Sequence, residues 1–469
     1  MAETGELGRA SVADIFGSQS VAVVGASSNL NKSGAQTLKN LLDVGFDGEV
    51  YAVNPKGSEV LGQAAYRNVS QIPGEVDLAV ISTPSEVVPQ LVQECADKGI
   101  RAVIINTEGF AEIGAKGQSL QVELERVIAD TGIRVIGPNA LGIINPSTKL
   151  TTSYAKLPQL RSGKVAFVGQ SGIFTSGLLR HIFSWETFGL SKAISLGNKV
   201  DVDEAEVLDY LADDEETRVI AMYLEGIKDG KLFLESARRA SARKPVVMLK
   251  GGVTERGAQA ARSHTGSLAG RAEVFKAAAK QSGVIMVDDL REFVNTVKAF
   301  ALQPLPYGNR VAIITISGAE GIMATDACIR YGLNLARLSP KTTRSLLEIF
   351  KEPAKVRNPV DIFPALLNHG RGKVYGHALS EVLADEGVDA AVIIGFVSEE
   401  AKIPLDSLVE PAKSQPQKPV LVTLLGSQVL INYKSKLESQ GIPTYIFAEE
   451  AIKSLTNTYR YGSFIKEKK

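Results

Sequence analysis

With 469 residues the chain has room for roughly two to four domains, each able to bury its own core. Its 52 basic and 52 acidic side chains cancel, which excludes a global field that would seek nucleic acid or a membrane surface. Two well-separated cysteines, Cys95 and Cys328, no apolar run near the roughly 18 residues of a membrane span, and an acidic start without the order of a secretory signal exclude a disulfide framework and point to a soluble cytoplasmic protein.

Residues 20–25, SVAVVG, read as an apolar strand ending in Gly25, followed by a loop and a helix with apolar positions at Leu38, Leu41, Leu42 and Val44. A second strand, GEVYAVNP, a third, VDLAVISTP, a helix from Glu86 to Lys98 and a fourth strand, RAVIINT, complete an alternation that predicts a parallel, doubly wound sheet. The first glycine turn sits where such sheets bind phosphorylated ligands. Of the three glycines in the dinucleotide fingerprint, only Gly25 and Gly34 have candidates here, and the second strand ends in Asn54-Pro55-Lys56-Gly57 rather than in an acidic residue. Lys56 suits a phosphate on a ribose better than free hydroxyls, which favours coenzyme A or NADP over NAD. The plain alternative is a lysine that solvates a turn. Asn106-Thr107-Glu108-Gly109 ends the fourth strand at the ligand-facing edge. After a further helix, strand RVIG leads to Pro138-Asn139-Ala140-Leu141-Gly142, which closes the first domain, residues 1–144.

Residues 145–162, rich in hydroxyls, with Pro146 and Pro158 and little apolar pattern, read as the crossing to a second domain, residues 145–303. That domain opens with KVAFVG, then Gln170-Ser171-Gly172, then a helix through Leu178, Leu179 and Ile182. A strand–Ser-Gly–helix junction aims backbone N–H groups and the positive end of a helix dipole at one point, an anion site. Gly197-Asn198-Lys199 tops the next strand, and VIAMYLEG ends at Glu225 on the same rim. KPVVMLKGG then runs through Lys250, Gly251 and Gly252 into an Ala- and Gly-rich stretch, expected as a mobile loop, that carries His264 between Ser263 and Thr265-Gly266. A neutral imidazole is nucleophilic near neutral pH and suits attack on phosphorus. Glu225 can accept its second N–H and stabilise the charged ring. A surface histidine and a solvated turn are the bland alternatives.

Strand VIMVDD and helix REFVNTVKAF follow, ending at QPLPYG, where Pro304 and Pro306 read as a linker to a third domain, residues 304–469. The architecture is duplicated: KVAFVGQSG parallels RVAIITISG, and RKPVVMLKGG parallels QKPVLVTLLGS. The third domain has no counterpart to Arg262–Gly266, and its His369 and His377 fall in a looser stretch.

Together VGAS…KSG, NPKG, NTEGF, GPNALGIINP, GQSG, GNKVDVDE, ARSHTGSLAG and NPVD at Asn358–Asp361 resemble the alpha subunit of the ADP-forming acyl-CoA (acetyl-CoA) synthetases, relatives of succinyl-CoA synthetase. The resemblance covers almost the whole chain. It implies an α/β protein with a Rossmann-like coenzyme A-binding domain followed by two flavodoxin-like doubly wound parallel-sheet domains. By motif position it implies His264 as a transiently phosphorylated histidine and Glu225 as the carboxylate that steadies it. Gln170, Ser171, Gly172, Ser176 and Asn139 fall on phosphate or substrate contacts, and Gly25, Ser27, Ser28, Asn29, Leu30, Lys32, Lys56, Asn106, Thr107 and Glu108 on coenzyme A contacts. Succinate-using relatives have a cysteine where this chain has Ala140 and a tyrosine where it has Ser176, which argues against succinate. ISGAEG replaces a glycine-richer turn in the third domain, which argues against a phosphate role there.

The implied reaction converts acyl-CoA, phosphate and ADP to acid, coenzyme A and ATP, reversibly, through an acyl phosphate and a phosphohistidine. The resemblance places ADP/ATP and Mg2+ on a separate ATP-grasp beta subunit in a heterotetramer-like assembly, and no metal site on this chain. Readings from other classes are a non-catalytic coenzyme A-sensing or scaffold protein and an NADP-dependent dehydrogenase.

Overall fold

Short apolar runs alternating with amphipathic helices bury both strand faces by building parallel sheets covered by helices. The computed structural model describes residues 9–57, 59–157, 159–265, 272–350 and 356–468, with Arg262–Thr265 and Ala272 through their backbone alone. Among the described residues it contains three such sheets.

The first sheet comprises β1 (Ser20–Val24), β2 (Glu49–Val53), β3 (Glu59–Val60), β4 (Gln63–Tyr66), β5 (Leu78–Ile81), β6 (Ala102–Ile105) and β7 (Arg134–Ile136), in the order β3-β4-β2-β1-β5-β6-β7. Strands β1, β5 and β6 are buried along their whole length, as a sheet covered on both faces requires. Strand order reverses at β1, so the crevice beyond the carboxyl ends of β1 and β5 is the switch point where such sheets take ligands. The β3–β4 hairpin, absent from the sequence expectation, turns on Leu61 and Gly62, both at positive φ (50° and 79°). That two-residue geometry usually announces itself as Asn-Gly, and here it does not.

The second sheet holds β8 (Gly142–Asn145), β9 (Leu150–Thr151), β10 (Ser162–Gly169), β11 (Leu190–Ser195), β12 (Val219–Leu224), β13 (Val246–Lys250) and β14 (Ile285–Val287), in the order β14-β13-β12-β10-β11-β8-β9. The central strands are parallel, while β8 pairs antiparallel with β11 and β9 antiparallel with β8. The stretch expected as a crossing therefore carries edge strands. Its hydroxyls misled because they are used inside: Thr152, fully buried, accepts from Ile143 N–H through Oγ1 at 2.8 Å.

The third sheet consists of β15 (Arg310–Thr315), β16 (Asn334–Leu335), β17 (Val360–Asp361), β18 (Ala390–Val397), β19 (Val420–Gly426) and β20 (Thr444–Tyr445), in the order β16-β15-β18-β19-β20 with β17 also on β15. The duplicated motifs lie where duplication predicts: β10 and β15 are both central strands that run into a helix, Gly172–Trp185 and Gly318–Tyr331. His369 and His377 are not in a loose stretch. His369 ends helix Phe363–His369, and His377 in helix Arg371–Ala384 turns Nε2 to Ser345 O at 3.0 Å.

The chain divides into two compact units, one running to Trp185 and including Gly189–Met286, the other comprising Glu186–Phe188 and Val287–Lys469. Helix Leu290–Leu302 belongs to the latter. Its Phe300 meets the Tyr461 ring at 5.6 Å between centroids, and its Glu292 accepts from Asn457 Nδ2 at 3.1 Å. The handover falls near Val287, ahead of the Pro304/Pro306 stretch read as a linker, because the apolar face of this helix finds its partner in the terminal helix Ala448–Glu467. No helix among the described residues is long and apolar enough to cross a membrane.

At the amino end of β15, Asp389 accepts from Arg310 N at 2.9 Å, Nε at 2.8 Å and Nη2 at 2.8 Å. Burial pushes this carboxyl up, but the Arg310 donors and charge together hold it below the ordinary carboxylate value. Its stabilising contribution is thus present above the unfolded value near 3.9 and is lost as pH falls through the folded one. Asp389→Asn is expected to destabilise this unit by about 2 kcal/mol at pH 7, and the gap to the parent in urea unfolding should narrow below about pH 4. A gap that stays constant across that range would show that the charge is not what matters.

Candidate functional site

At the switch point of the first sheet, Gly25 leaves β1 at φ 91°, and a Cβ there would sit 2.3 Å from Ser82 O. A Cβ on Gly34 would sit 2.3 Å from Gly25 O. Two glycines thus let helix Ser33–Asp43 start directly against the turn. The loop between them is held by its own side chains: Ser27 Oγ accepts from Asn29 N at 3.1 Å and Asn29 Oδ1 from Asn31 N at 3.0 Å. Ser28, Asn29, Leu30 and Lys32 are exposed on it. Across the crevice, Asn54 Nδ2 donates to Ala26 O at 2.7 Å and Asn54 Oδ1 accepts from Lys56 N at 2.9 Å, which fixes the turn and leaves the Lys56 ammonium in solvent without an ion-pair partner among the described residues.

Asn106, nearly buried, donates weakly to Ser82 Oγ at 3.3 Å, while its Oδ1 is buried without a hydrogen-bond partner. Thr107 Oγ1 donates to Thr83 O at 2.7 Å, and Thr107 O accepts from Asn139 N at 2.9 Å. Asn139 itself stands at φ 59° after the cis Gly137–Pro138 bond. Glu108 is exposed. A cleft of about 260 Å3 opens beside it, lined by Ser85, Glu86, Gly109, Ile113, Lys116 and Leu120 among others. A polar crevice with an unpartnered cation at one edge and an orphaned buried amide oxygen within it fits a large phosphorylated ligand such as coenzyme A.

Glu112 ties this rim to the second sheet. Its Oε1 accepts from Gly109 N at 2.6 Å and Phe110 N at 3.1 Å, and its Oε2 from Asn198 Nδ2 at 2.7 Å. Burial raises its carboxyl, but the Asn198 and backbone donors together hold it below the ordinary value. The Asn198 turn is also pinned from beneath, because a Cβ on Gly197 would sit 2.1 Å from Pro138 O. Nothing in the sequence pattern marked Glu112; it looks like one more acid in an exposed helix start.

On the second sheet, helix Gly172–Trp185 begins at the carboxyl end of β10. Gly172 lies against Leu141 and Tyr154, whose hydroxyl is 3.6 Å from a Cβ built on that glycine. Burial first, and then the Glu108 charge, raise the Tyr154 phenol. Ser171 is partly exposed at the helix start. Ser176 Oγ donates back to Ile173 O at 2.9 Å and so is engaged within its own helix.

Gln170 Oε1 accepts from Glu225 N at 2.8 Å and Gly226 N at 3.1 Å, which brings these two expected site residues together. Glu225, nearly buried, accepts from Tyr223 Oη at 3.2 Å through Oε1. Burial, then Glu225, push that phenol well above its ordinary value, so it stays protonated and donating. Tyr223 packs on Phe174 at 4.2 Å between ring centroids.

After Gly252 at φ 70°, Thr254 caps helix Glu255–Thr265 by accepting from Gly257 N at 3.0 Å. His264 stands on the last turn of that helix rather than in a loop. Ala residues at 258, 260 and 261, weakly read as loop composition, are strong helix formers. The His264 side chain lies outside the described residues, as do Gly266–Arg271. The helix passes alongside Ala111–Ile113, the segment that contains Glu112. Among the described residues no group of three or more His, Cys, Asp or Glu is placed to hold a metal ion.

Residues 19–146 match a family model described as a CoA binding domain, and residues 162–300 one described as a succinyl-CoA ligase like flavodoxin domain. The chain is 40% identical to the alpha subunit of acetate–CoA ligase [ADP-forming] II of Pyrococcus furiosus, over 92% of this chain and 93% of that one. It is 37% identical to acetate–CoA ligase [ADP-forming] II of Archaeoglobus fulgidus, over 96% of this chain and 67% of that one. Among solved structures, the dinucleotide-forming acetyl-coenzyme A synthetase 1 of Ca. Korarchaeum cryptofilum, in complex with phosphate and ADP, superposes with a TM-score of 0.86 at 33% identity, covering 96% of this chain and 97% of that one.

Proposed function

Since this chain belongs to the family of ADP-forming acetate–CoA ligase alpha subunits, we propose that it catalyses the reversible conversion of a short-chain or aryl acyl-CoA, ADP and phosphate to the free acid, coenzyme A and ATP. What carries the reading is one rim. The Gly172 helix start, the Glu225 turn and the helix bearing His264 leave neighbouring strands of the second sheet at the same edge, beside the glycine-lined crevice of the first. On this reading residues 1–144 bind coenzyme A, the rest of the first unit as far as Met286 performs the chemistry, and the unit from Val287 onward forms the third domain.

Lys56 would face the ribose phosphate of coenzyme A, and Ser27–Leu30, Asn106, Thr107 and Glu108 the rest of the crevice. Phosphate held at the Ser171–Gly172 helix start attacks the thioester carbonyl; a C–O bond forms, the C–S bond breaks, and the thiolate leaves with a proton. An imidazole nitrogen of His264 then attacks the phosphorus of the acyl phosphate, releasing the carboxylate. Glu225 accepts the other ring N–H and stabilises the cationic ring. ADP finally takes the phosphoryl group from the histidine. Positioning and a positive environment supply most of the rate in such transfers. The nucleotide and its Mg2+ sit on an ATP-grasp partner chain, assembled with at least two copies of each.

The test is label from [γ-32P]ATP. With the partner chain present, this chain should acquire acid-labile, alkali-stable phosphate. A chain that never labels under those conditions sinks the reading and leaves a coenzyme A-binding sensor or scaffold in its place. Lys56→Glu is expected to weaken coenzyme A binding roughly 10- to 100-fold through the lost charge pairing, and to leave dephospho-coenzyme A nearly unaffected. Equal losses for both ligands, measured by calorimetry, would remove Lys56 from the phosphate.

A further inference from the structure

All four backbone polar groups of the Glu225-Gly226 turn are held by buried side chains that no step above uses. Gln170, 1% exposed, receives both N–H groups on Oε1. Lys250 Nζ donates to Glu225 O at 2.7 Å and also to Gly251 O. Lys199 Nζ donates to Gly226 O at 2.8 Å and to Glu204 Oε2 at 2.8 Å. Gln170 and Lys250 stand at the carboxyl ends of β10 and β13, and Lys199 in the loop that follows β11. A turn on a sheet rim normally gives such groups to water.

The arrangement carries two costs, a strained backbone and buried charge, that the Lys199–Glu204 ion pair offsets only in part. Lys199 stands at φ 57°, a left-handed backbone that residues with a Cβ rarely adopt. Lys250 and Lys199 are nearly buried ammonium groups. Burial lowers the Lys250 pKa against the pull of Glu225. Strain and buried charge of this kind persist where the surroundings over-determine them and concentrate at functional sites.

We infer that Gln170, Lys199 and Lys250 are positioning residues that clamp the Glu225 turn, and that Gln170 acts through Glu225 rather than on phosphate. Its Oε1 accepts from both backbone N–H groups of the turn, and an anion, itself an acceptor, cannot bind at that oxygen. This rests on the assignment of Glu225 given above. A clamp of this kind fixes where the carboxylate stands when the imidazole arrives, so it governs the rate of phosphohistidine formation and not the affinity for phosphate.

The experiment is a double-mutant cycle in the full chain with its nucleotide-binding partner, read as the rate of phosphohistidine formation by quenched flow. Gln170→Met, similar in length but unable to accept, is expected to slow that step by up to about 100-fold with the KM for phosphate unchanged. In a Glu225→Gln background it should cost nothing further, since residues that act as one unit are not additive. An additive loss, or a KM for phosphate raised tenfold by Gln170→Met, overturns the proposal. A parental rate for Glu225→Gln alone overturns it at its root, through the assignment of Glu225. Lys250→Met, taken through the same cycle, decides the matter where Gln170→Met fails to fold.

Discussion

His264→Asn is expected to remove every trace of phosphoryl label from this chain and to lower net ATP formation by about ten-thousand-fold or more, because deletion of a covalent nucleophile removes a whole step rather than one contact. The substitution suits the question. Asparagine is polar, smaller than imidazole, and compatible with the last turn of a helix, where residue 264 stands. It lacks a basic nitrogen, so it cannot accept a phosphoryl group. Coenzyme A binding should remain within about twofold, since the crevice of the first sheet is built from other residues. The phosphate-dependent release of coenzyme A thiol in a single turnover should persist as well, because in the proposed sequence phosphate attacks the thioester before histidine acts. A variant that carries label, or forms ATP at the parental rate, would remove His264 from the mechanism. One that also loses thiol release would show that the substitution damaged more than the ring.

The second large effect is on stability. Lys298, 2% exposed, lies between two buried carboxylates, with Glu186 Oε2 and Glu438 Oε1 each at 3.2 Å. It also donates to Thr444 O at 2.8 Å and stands 4.8 Å from the Tyr445 ring centre. Lys434 reaches both carboxylates at 2.8 Å, so two cations balance two anions within the second unit. Such a set is worth little against a well-packed apolar alternative, yet breaking it leaves an uncompensated buried charge, at a cost of about 3–5 kcal/mol. Lys298→Met is therefore expected to lower the midpoint of the transition of this unit by roughly 10 °C in calorimetry. A double variant, Lys298→Met with Glu438→Gln, removes one charge of each sign and should recover a good part of the loss. If the single variant melts within a degree or two of the parent, the charges are not coupled as their distances suggest.

Much of the local architecture was legible in the chain. β1, β5, β6, β10 and β15 carry runs of four apolar residues bounded by turn signals and alternating with helices, the pattern of parallel strands covered on both faces. The edge strands were not legible. Gly142–Asn145 and Leu150–Thr151 are short, and the hydroxyl of Thr152 just beyond them finds its partner only once the two strands pair, at Ile143. The helix through His264 was misread as a loop because small residues favour either state, and the choice rests on the Thr254 cap and on what the helix packs against.

The site divides in the same way. Glycine placement and the order of motifs were enough to single out Gly25, Lys56, the Ser171–Gly172 junction and Glu225 as candidates, because close approach of a backbone to a phosphate calls for glycine and unpaired donors at fixed positions in a sequence. Glu112, the buried hydrogen bonds of Gln170, and the four-charge set around Lys298 were decided only by tertiary structure. Each depends on groups far apart in the chain, up to 252 positions between Glu186 and Glu438, and whether a polar side chain faces water or a partner is a property of what folding places against it.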